Sequence, residues 1–249
     1  MLADECSVVD DESRGREAED RIALAGAELV LDPFGAVYLP AERALIVADL
    51  HLEKGSAFAA RGVPLPPYDS RATLALLARL VERWRPRVLV LLGDTLHDRR
   101  AGARLGEVER AALAALSRGR ELVFIAGNHD PDPVPELGGI HLAALNLGSL
   151  VLRHEPGAVG DGEGELSGHY HPVARLVRRG RAIRRRCFAG DARRLVLPAL
   201  GAYAGGLNIR DPALAALFAG PYTAYLTGPV RTYRIAHHAC VPDGRQLAG

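Results

Sequence analysis

Residues 44–51 read Ala-Leu-Ile-Val-Ala-Asp-Leu-His, residues 88–94 read Val-Leu-Val-Leu-Leu-Gly-Asp, and residues 122–130 read Leu-Val-Phe-Ile-Ala-Gly-Asn-His-Asp. Each begins with a short continuous apolar run, the pattern of a strand buried on both faces of a parallel sheet. Each ends in side chains that carry carboxylate, carboxamide or imidazole groups. Open α/β sheets place their sites at the carboxyl ends of such strands. Further along, Leu150–Arg153 precedes His154, and Glu165–Ser167 precedes Gly168-His169-Tyr170-His171, so the strand-then-polar arrangement occurs five times. Gly93, Gly127 and Gly168 are expected to let the backbone turn tightly beside these groups.

Asp49, His51, Asp94, Asn128, His154, His169 and His171 together supply two Asp, one Asn and four His as candidate metal ligands. Splitting a phosphate ester or diester needs a strong nucleophile at neutral pH and neutralisation of the non-bridging oxygens. Two divalent cations roughly 3.5–4 Å apart do both, by acidifying a shared water and clamping the phosphoryl oxygens. Imidazole, carboxylate and carbonyl donors suit Mn²⁺, Fe or Zn²⁺, and the set contains no thiolate to force Zn²⁺. Taken singly, Asp-x-His or Gly-Asp is a weak sign, because such residues are common in turns and caps. The ordered set of five is the signal.

That order resembles the calcineurin-like metallophosphoesterase superfamily. The resemblance implies a four-layer α/β/β/α sandwich. It also implies that Asp49, His51 and His171 hold one metal, that Asp94 bridges, and that Asn128, His154 and His169 complete the second site. A hydroxide bridging the metals is then the nucleophile. His129 matches a position that faces the scissile phosphate, where an imidazole protonates the leaving oxygen; Asp130 orients its loop. His97, three residues after Asp94, stands where many phosphoprotein phosphatases have Asp followed by Arg-Gly. This Gly-Asp-x-x-His form is similar to that of the superfamily's double-strand-break repair nucleases, in which a second His assists on the leaving-group side. Capping of the turn before Arg99–Ala103 is the alternative for His97.

Other segments resemble one bacterial family, the ligase-associated DNA damage response endonucleases (PdeM). They are Ala48–Gly55, the Pro-rich run Val63–Asp69, Arg153-His154-Glu155-Pro156, Gly168–Pro172, Arg186-Cys187-Phe188 and Leu197–Gly206. The resemblance extends from about Ala23 to Ile235. Glu53 departs from it, where Gly is frequent, as do Leu200 and Tyr203, where Phe is usual. The family implies a Mn²⁺-dependent phosphodiesterase and endonuclease acting on DNA in repair, with a ligase, a helicase and an exonuclease as partners. A phosphodiesterase of nucleotides or other small diesters, and a non-catalytic scaffold of a repair complex, are the alternatives.

A chain of 249 residues with 48% hydrophobic composition can bury one substantial core. Residues 23–240 are expected to form that domain, with an acidic disordered tail over 1–22 and a frayed end over 241–249. No apolar run reaches bilayer length, and the acidic start lacks a secretory pattern, so a cytoplasmic protein without a membrane partner is expected. Cys6, Cys187 and Cys240 are odd in number and lack Cys-x-x-Cys spacing, which argues against a disulfide framework.

Net charge is only +1, yet Met1–Asp20 carries eight acidic residues, so the remainder is basic. Arg175, Arg178, Arg179, Arg181, Arg184, Arg185 and Arg186 flank Gly180 in an expected β-hairpin just beyond His171. Arg178, Arg179, Arg184 and Arg185 are the candidate contacts to a nucleic-acid backbone; a solvated hairpin or a protein-contact surface is the alternative. Residues 70–83 have helical apolar spacing, with Asp69 or Ser70 as N-cap, and residues 107–116 form a second helix.

Overall fold

The computed structural model describes residues 20–63 and 65–244. The apolar runs become the middle of a seven-stranded sheet. Its strands β1 (Arg21–Leu24), β2 (Ala27–Leu31), β3 (Val37–Leu39), β4 (Ala44–Val47), β5 (Val88–Leu92), β6 (Glu121–Ile125) and β7 (Ile140–Leu142) lie side by side in chain order. Pairing is antiparallel from β1 to β4 and parallel from β4 to β7. Successive side chains of a strand point to opposite faces, so continuous burial requires cover on both. Leu45, Val47, Leu89 and Leu91 accordingly pack against helices, while Ala44, Ile46, Val90 and Leu92 pack against a second sheet.

The helical cover consists of α1 (Lys54–Ala59), α2 (Asp69–Trp84), α3 (Ala101–Arg104) and α4 (Glu107–Leu116). On α2, Leu74, Leu77, Leu80 and Val81 form one buried stripe. Its end is pinned where Trp84 Nε1 donates to the buried carboxylate of Asp32 at 2.8 Å. Its start departs from expectation. The helix begins at Asp69, and its N-cap Tyr68 makes no side-chain cap bond. Asp69 and Ser70 serve the neighbouring loop instead, accepting from Gly55 N at 2.9 Å and Glu53 N at 2.8 Å.

The second sheet contains β8 (Ala144–Leu147), β9 (Leu150–Arg153), β10 (Gly164–Ser167), β11 (Val173–Arg178), β12 (Arg181–Gly190), β13 (Arg194–Val196), β14 (Thr223–Leu226) and β15 (Tyr233–Ala236). Their order is β15-β14-β12-β13-β10-β9-β8, with β11 paired to β12 alone. β9, β10 and β13 are parallel. Leu152, Leu166, Phe188 and Leu195 fill the space between the sheets. On the outer face, Ala189, Val196 and Ala224 are covered by Leu214 of α5 (Pro212–Ala215), Phe218 and Tyr222. The fold is the four-layer α/β/β/α sandwich, with a thin fourth layer built on that four-residue helix.

β11 and β12 turn through Arg179 and Gly180, whose φ angles of 50° and 75° are those a tight hairpin turn requires. From Val177 to Arg185 the ribbon is exposed. Both domain ends extend further than the sequence suggested. Asp20 is buried and its carboxylate accepts from Thr232 N at 2.9 Å and Thr232 Oγ1 at 2.6 Å, and Arg21 and Ile22 pair with β2; these three belong to the sheet, not to a tail. Residues 1–19 lie outside the described residues. Val241 N donates to Arg175 O at 2.8 Å and Asp243 is held by Arg184, so the start of the expected frayed end is fastened to the hairpin; residues 245–249 again lie outside the described part. Cys187 and Cys240 are both free and buried.

Phe188 is fully buried between the sheets. Phe188→Ala is expected to lower the unfolding free energy by about 3–5 kcal/mol in a denaturant titration, whereas Ile183→Ala on the exposed ribbon should change it by less than about 0.5 kcal/mol.

Candidate metal centre

Five chain segments leave their strands at one edge of the sandwich: after β4, β5 and β6 of the first sheet, and after β9 and β10 of the second. The loops stay zipped together past the strand ends. Asp49 N donates to Gly93 O, His51 N to Asp94 O and Leu52 N to Thr95 O, while Gly168 N donates to His154 O. An isolated bridge between Ala48 and Ala199 joins the two sheets beside Asp49. The backbone register of the strands is thereby carried into the ligand loops.

The polar atoms converge. His171 Nε2 lies 3.2 Å from Asp49 Oδ1 and 3.2 Å from His51 Nε2. Asn128 Oδ1 lies 2.9 Å from both His154 Nε2 and His169 Nδ1. Asp94 stands between these groups, with Oδ2 at 3.7 Å from His51 Nε2 and Oδ1 at 3.4 Å from His154 Nε2. All seven predicted ligands are therefore in one cluster. Asp49, His51 and His171 form one compact set, and Asp49, Asp94 and His154 another.

Burial and backbone conformation show what the cluster costs. Asp49, His51, Asp94 and His154 are buried. Asp49, His51, Asp94, His169 and His171 all have positive φ, between 45° and 69°, a left-handed conformation that costs an L-residue about 1–2 kcal/mol. Such strain persists only where the surroundings over-determine it. Gly93 and Gly127 make the close approach possible. A Cβ on Gly93 would stand 2.3 Å from the His154 ring, and one on Gly127 would stand 2.2 Å from Asp94 Oδ1.

The donor set fits two divalent cations. Two imidazole nitrogens facing each other at 3.2 Å, with a carboxylate oxygen at the same distance, present lone pairs that repel unless a cation or proton lies among them. The His154 ring turns its Nδ1 to Leu92 O at 3.3 Å, which leaves Nε2 free toward Asn128 and Asp94. Burial holds His51 down to about 3, against the pull of Asp94, so the neutral ring keeps one nitrogen lone pair available to a metal. Burial also opposes protonation of His154, but the hydrogen bond to Asp94 and the charges of Asp49 and Asp94 lift it to about 9. The metal-free cluster thus holds a proton where a cation fits.

His129 and His97 lie beside the cluster and also meet His51. His129 N donates to Asp94 Oδ1 at 2.9 Å, and His129 Nδ1 meets the carbonyl of His97 at 2.6 Å, so Nε2 is the atom left to face the site. His97 does not cap the turn through its ring. That ring lies over Phe58, and burial, then Lys54 and His129, hold it down to about 4. Asp130 Oδ2 accepts from Leu96 N at 2.8 Å and ties the His129 loop to the Asp94 loop. Glu53, the departure from the family pattern, has φ 67°, a glycine-like conformation held by Ser70.

The Arg hairpin starts two residues beyond His171, but its arginines differ. Arg184 is engaged by Asp243 and by Gly206 O at 2.8 Å, and Arg186 donates to Gly201 O at 2.6 Å. Arg178, Arg179 and Arg185 are exposed, with no carboxylate partner among the described residues. Lys54, Arg61 and Arg100 were not singled out by the sequence as functional. Arg61 and Arg100 line a cleft that opens beside His129, and no motif marks them.

Two mixed sheets converge on buried oxygen and nitrogen donors that could hold metal ions, an arrangement suited to a metal-dependent phosphoesterase. Residues 42–179 match the calcineurin-like phosphoesterase family, and the chain belongs to it. Among solved structures, the nuclease MPE of Pseudomonas putida is 32% identical, with a TM-score of 0.66, over 86% of this chain and 98% of that one. Yfce, a phosphoesterase from E. coli, is 14% identical with a TM-score of 0.40, over 78% of this chain and 98% of that one. The comparison with curated proteins finds no match. No helix among the described residues is long and apolar enough to cross a membrane.

Because His154 is raised above its ordinary value, its charged form stabilises the metal-free protein fully below pH 6.5, and that contribution is lost as pH rises through about 9. Metal uptake at pH 7.5 should therefore release a proton, read as a binding enthalpy that changes with the ionisation enthalpy of the buffer. Identical enthalpies in phosphate-free buffers of different ionisation enthalpy would contradict this. Metal at 100 times its Kd should add about 2.7 kcal/mol of stability, and Asp94→Ala should remove most of that gain together with the bound metal.

Proposed function

We propose that this chain is a manganese-dependent phosphodiesterase that cleaves DNA during repair, in the cytoplasm. The observation that carries the reading is the likeness to a nuclease at 32% identity over 86% of this chain and 98% of that one. The ligase, helicase and exonuclease partners rest on the family resemblance of segments such as Ala48–Gly55 and Leu197–Gly206. Oxygen and imidazole donors are compatible with Mn²⁺, Fe or Zn²⁺, and the choice of Mn²⁺ rests on the family resemblance.

Asp49, His51 and His171 would hold one cation, Asn128, His154 and His169 the other, and Asp94 both. Bound there, the two cations supply an acidified water as nucleophile and neutralise charge on the phosphoryl oxygens. The remaining work falls to the chain. His129, aligned by the His97 carbonyl and by Asp94, presents Nε2 to the leaving oxygen and delivers its proton. His97, held neutral by burial, supports His129 as a neighbour at 5.3 Å between ring centroids and leaves the proton transfer to it. Arg178, Arg179 and Arg185 on the ribbon contact the DNA backbone without sequence preference, with Arg184 shared between Asp243 and the substrate.

His129→Ala should retain metal and slow plasmid cleavage roughly 10²–10⁴-fold, with a much smaller effect on bis(p-nitrophenyl) phosphate, whose leaving group needs no proton. Equal loss on both substrates would remove His129 as the acid. His97→Ala should act in the same direction, more mildly.

Replacing Arg178, Arg179 and Arg185 by Ala should weaken plasmid cleavage and flatten its salt dependence by about 0.9 in log–log slope per lost contact, leaving the small ester nearly unaffected. Cleavage of small nucleotide diesters with no activity on any DNA would replace the nuclease reading with that of a small-molecule phosphodiesterase. Full metal occupancy with no hydrolysis at all would favour the scaffold reading.

A further inference from the structure

The geometry points to a second phosphate subsite, in the cleft between α1 and the Asp98–Arg104 segment, that takes the next phosphate of the substrate on the leaving-group side. The cleft has a volume of about 660 Å³ and carries Arg61, Arg99, Arg100 and Arg104 on its walls, with Asn128 and His129 at one end. One wall therefore contains the residue assigned to the leaving oxygen. A group departing past His129 enters this cleft.

Its charges are unevenly satisfied. Arg104 pairs with Asp98 through both terminal nitrogens, at 3.1 and 2.8 Å, and its Nε donates to Ser56 Oγ at 2.9 Å, which fastens α3 to α1. Arg99 pairs with Asp132. Arg61 and Arg100 are exposed, and among the described residues neither has a carboxylate within ion-pair distance. Arg61 is close enough for its charge to bear on His97. Two guanidinium groups without a carboxylate partner on the lining of one cleft repel each other and attract an anion. The scissile phosphate is met at the metal ligands, so this excess charge serves a second anionic group. A nucleic-acid strand offers one phosphate per nucleotide; a mononucleotide diester or a nitrophenyl ester offers none beyond the one being split.

The inference rests on the phosphodiesterase reading, and its test separates the two. Three substrates are compared with Mn²⁺-loaded protein: a thymidine dinucleotide with one internal diester, and the same dinucleotide with an added phosphate at its 5′ or its 3′ end. One end-phosphorylated form should show a KM about tenfold below that of the parent, the gain of one charge-assisted contact. The double variant Arg61→Gln/Arg100→Gln should erase that preference, while Arg61→Lys/Arg100→Lys retains part of it, and raised salt should narrow it in the wild type. Equal KM for all three dinucleotides, each being cleaved, overturns the subsite and leaves the phosphodiesterase reading intact. A preference that survives the Gln variant also overturns it. Failure to cleave any phosphodiester, nitrophenyl esters included, overturns both.

Discussion

Two carboxylates, Asp49 and Asp94, are buried side by side at the ends of adjacent parallel strands, and the edge of the sandwich is arranged around that fact. An isolated buried charge costs several kcal/mol unless it is matched by opposite charge and hydrogen bonds. Here the matches come from both sheets: the backbone N–H of His129 serves Asp94, that of His169 serves Asp49 at 3.1 Å, and His154 meets both acids. Four imidazoles surround the pair. The positive φ of Asp49, His51, Asp94, His169 and His171 accompanies the same convergence, since each side chain turns back toward one point from a strand that would carry it onward.

Support for these loops is drawn from residues with no chemical role of their own. Asp69 and Ser70 leave the capping of their own helix to the backbone and hold Gly55 and Glu53, which fixes the entry to α1. Asp130 spans the gap to Leu96. Farther back, Glu165 is fully buried and takes Arg153 and Arg194, so the strands bearing His154 and His169 are tied to each other and to β13. Precision at the ligands thus rests on polar contacts behind them, and the apolar core sets only the coarse distance between the sheets.

The candidate-site loops after β4, β5 and β6 were legible because those strands are buried on both faces and have a plain apolar signature, whereas β9 alternates and β10 reads Gly-Glu-Leu-Ser. β5, β9 and α4 have the bounds the sequence suggested, β4 stops one residue short of the apolar run Ala44–Ala48, and β6 is the run Leu122–Ala126 shifted back by one residue. What the sequence hid was long-range. Nothing near Asp20 announces that Thr232 will take its carboxylate, so local composition extends the tail three residues into the folded part. Asp243 and Arg184 are 59 residues apart, and their pairing is invisible to any local pattern. Asp69 looked like a cap because an acid before an apolar stripe usually is one; its partner Gly55 lies in a different loop. Arg61 and Arg100 line one cleft only because α1 and α3 are folded against each other.

The candidate ligands come from two separate sheets that are otherwise held together by apolar packing and a few bridges such as Ala48 to Ala199. Apolar packing resists separation but tolerates small sliding, because a methyl group that moves half an ångström loses little contact. Cations shared by Asp49, His51 and Asp94 on one side and His154, His169 and His171 on the other would not permit such slippage. They would behave as cross-links, placed at the edge where the bridge from Ala48 to Ala199 already joins the layers. Chelation of such a protein then resembles reduction of a disulfide: the tertiary arrangement survives, and the register between its halves loosens first.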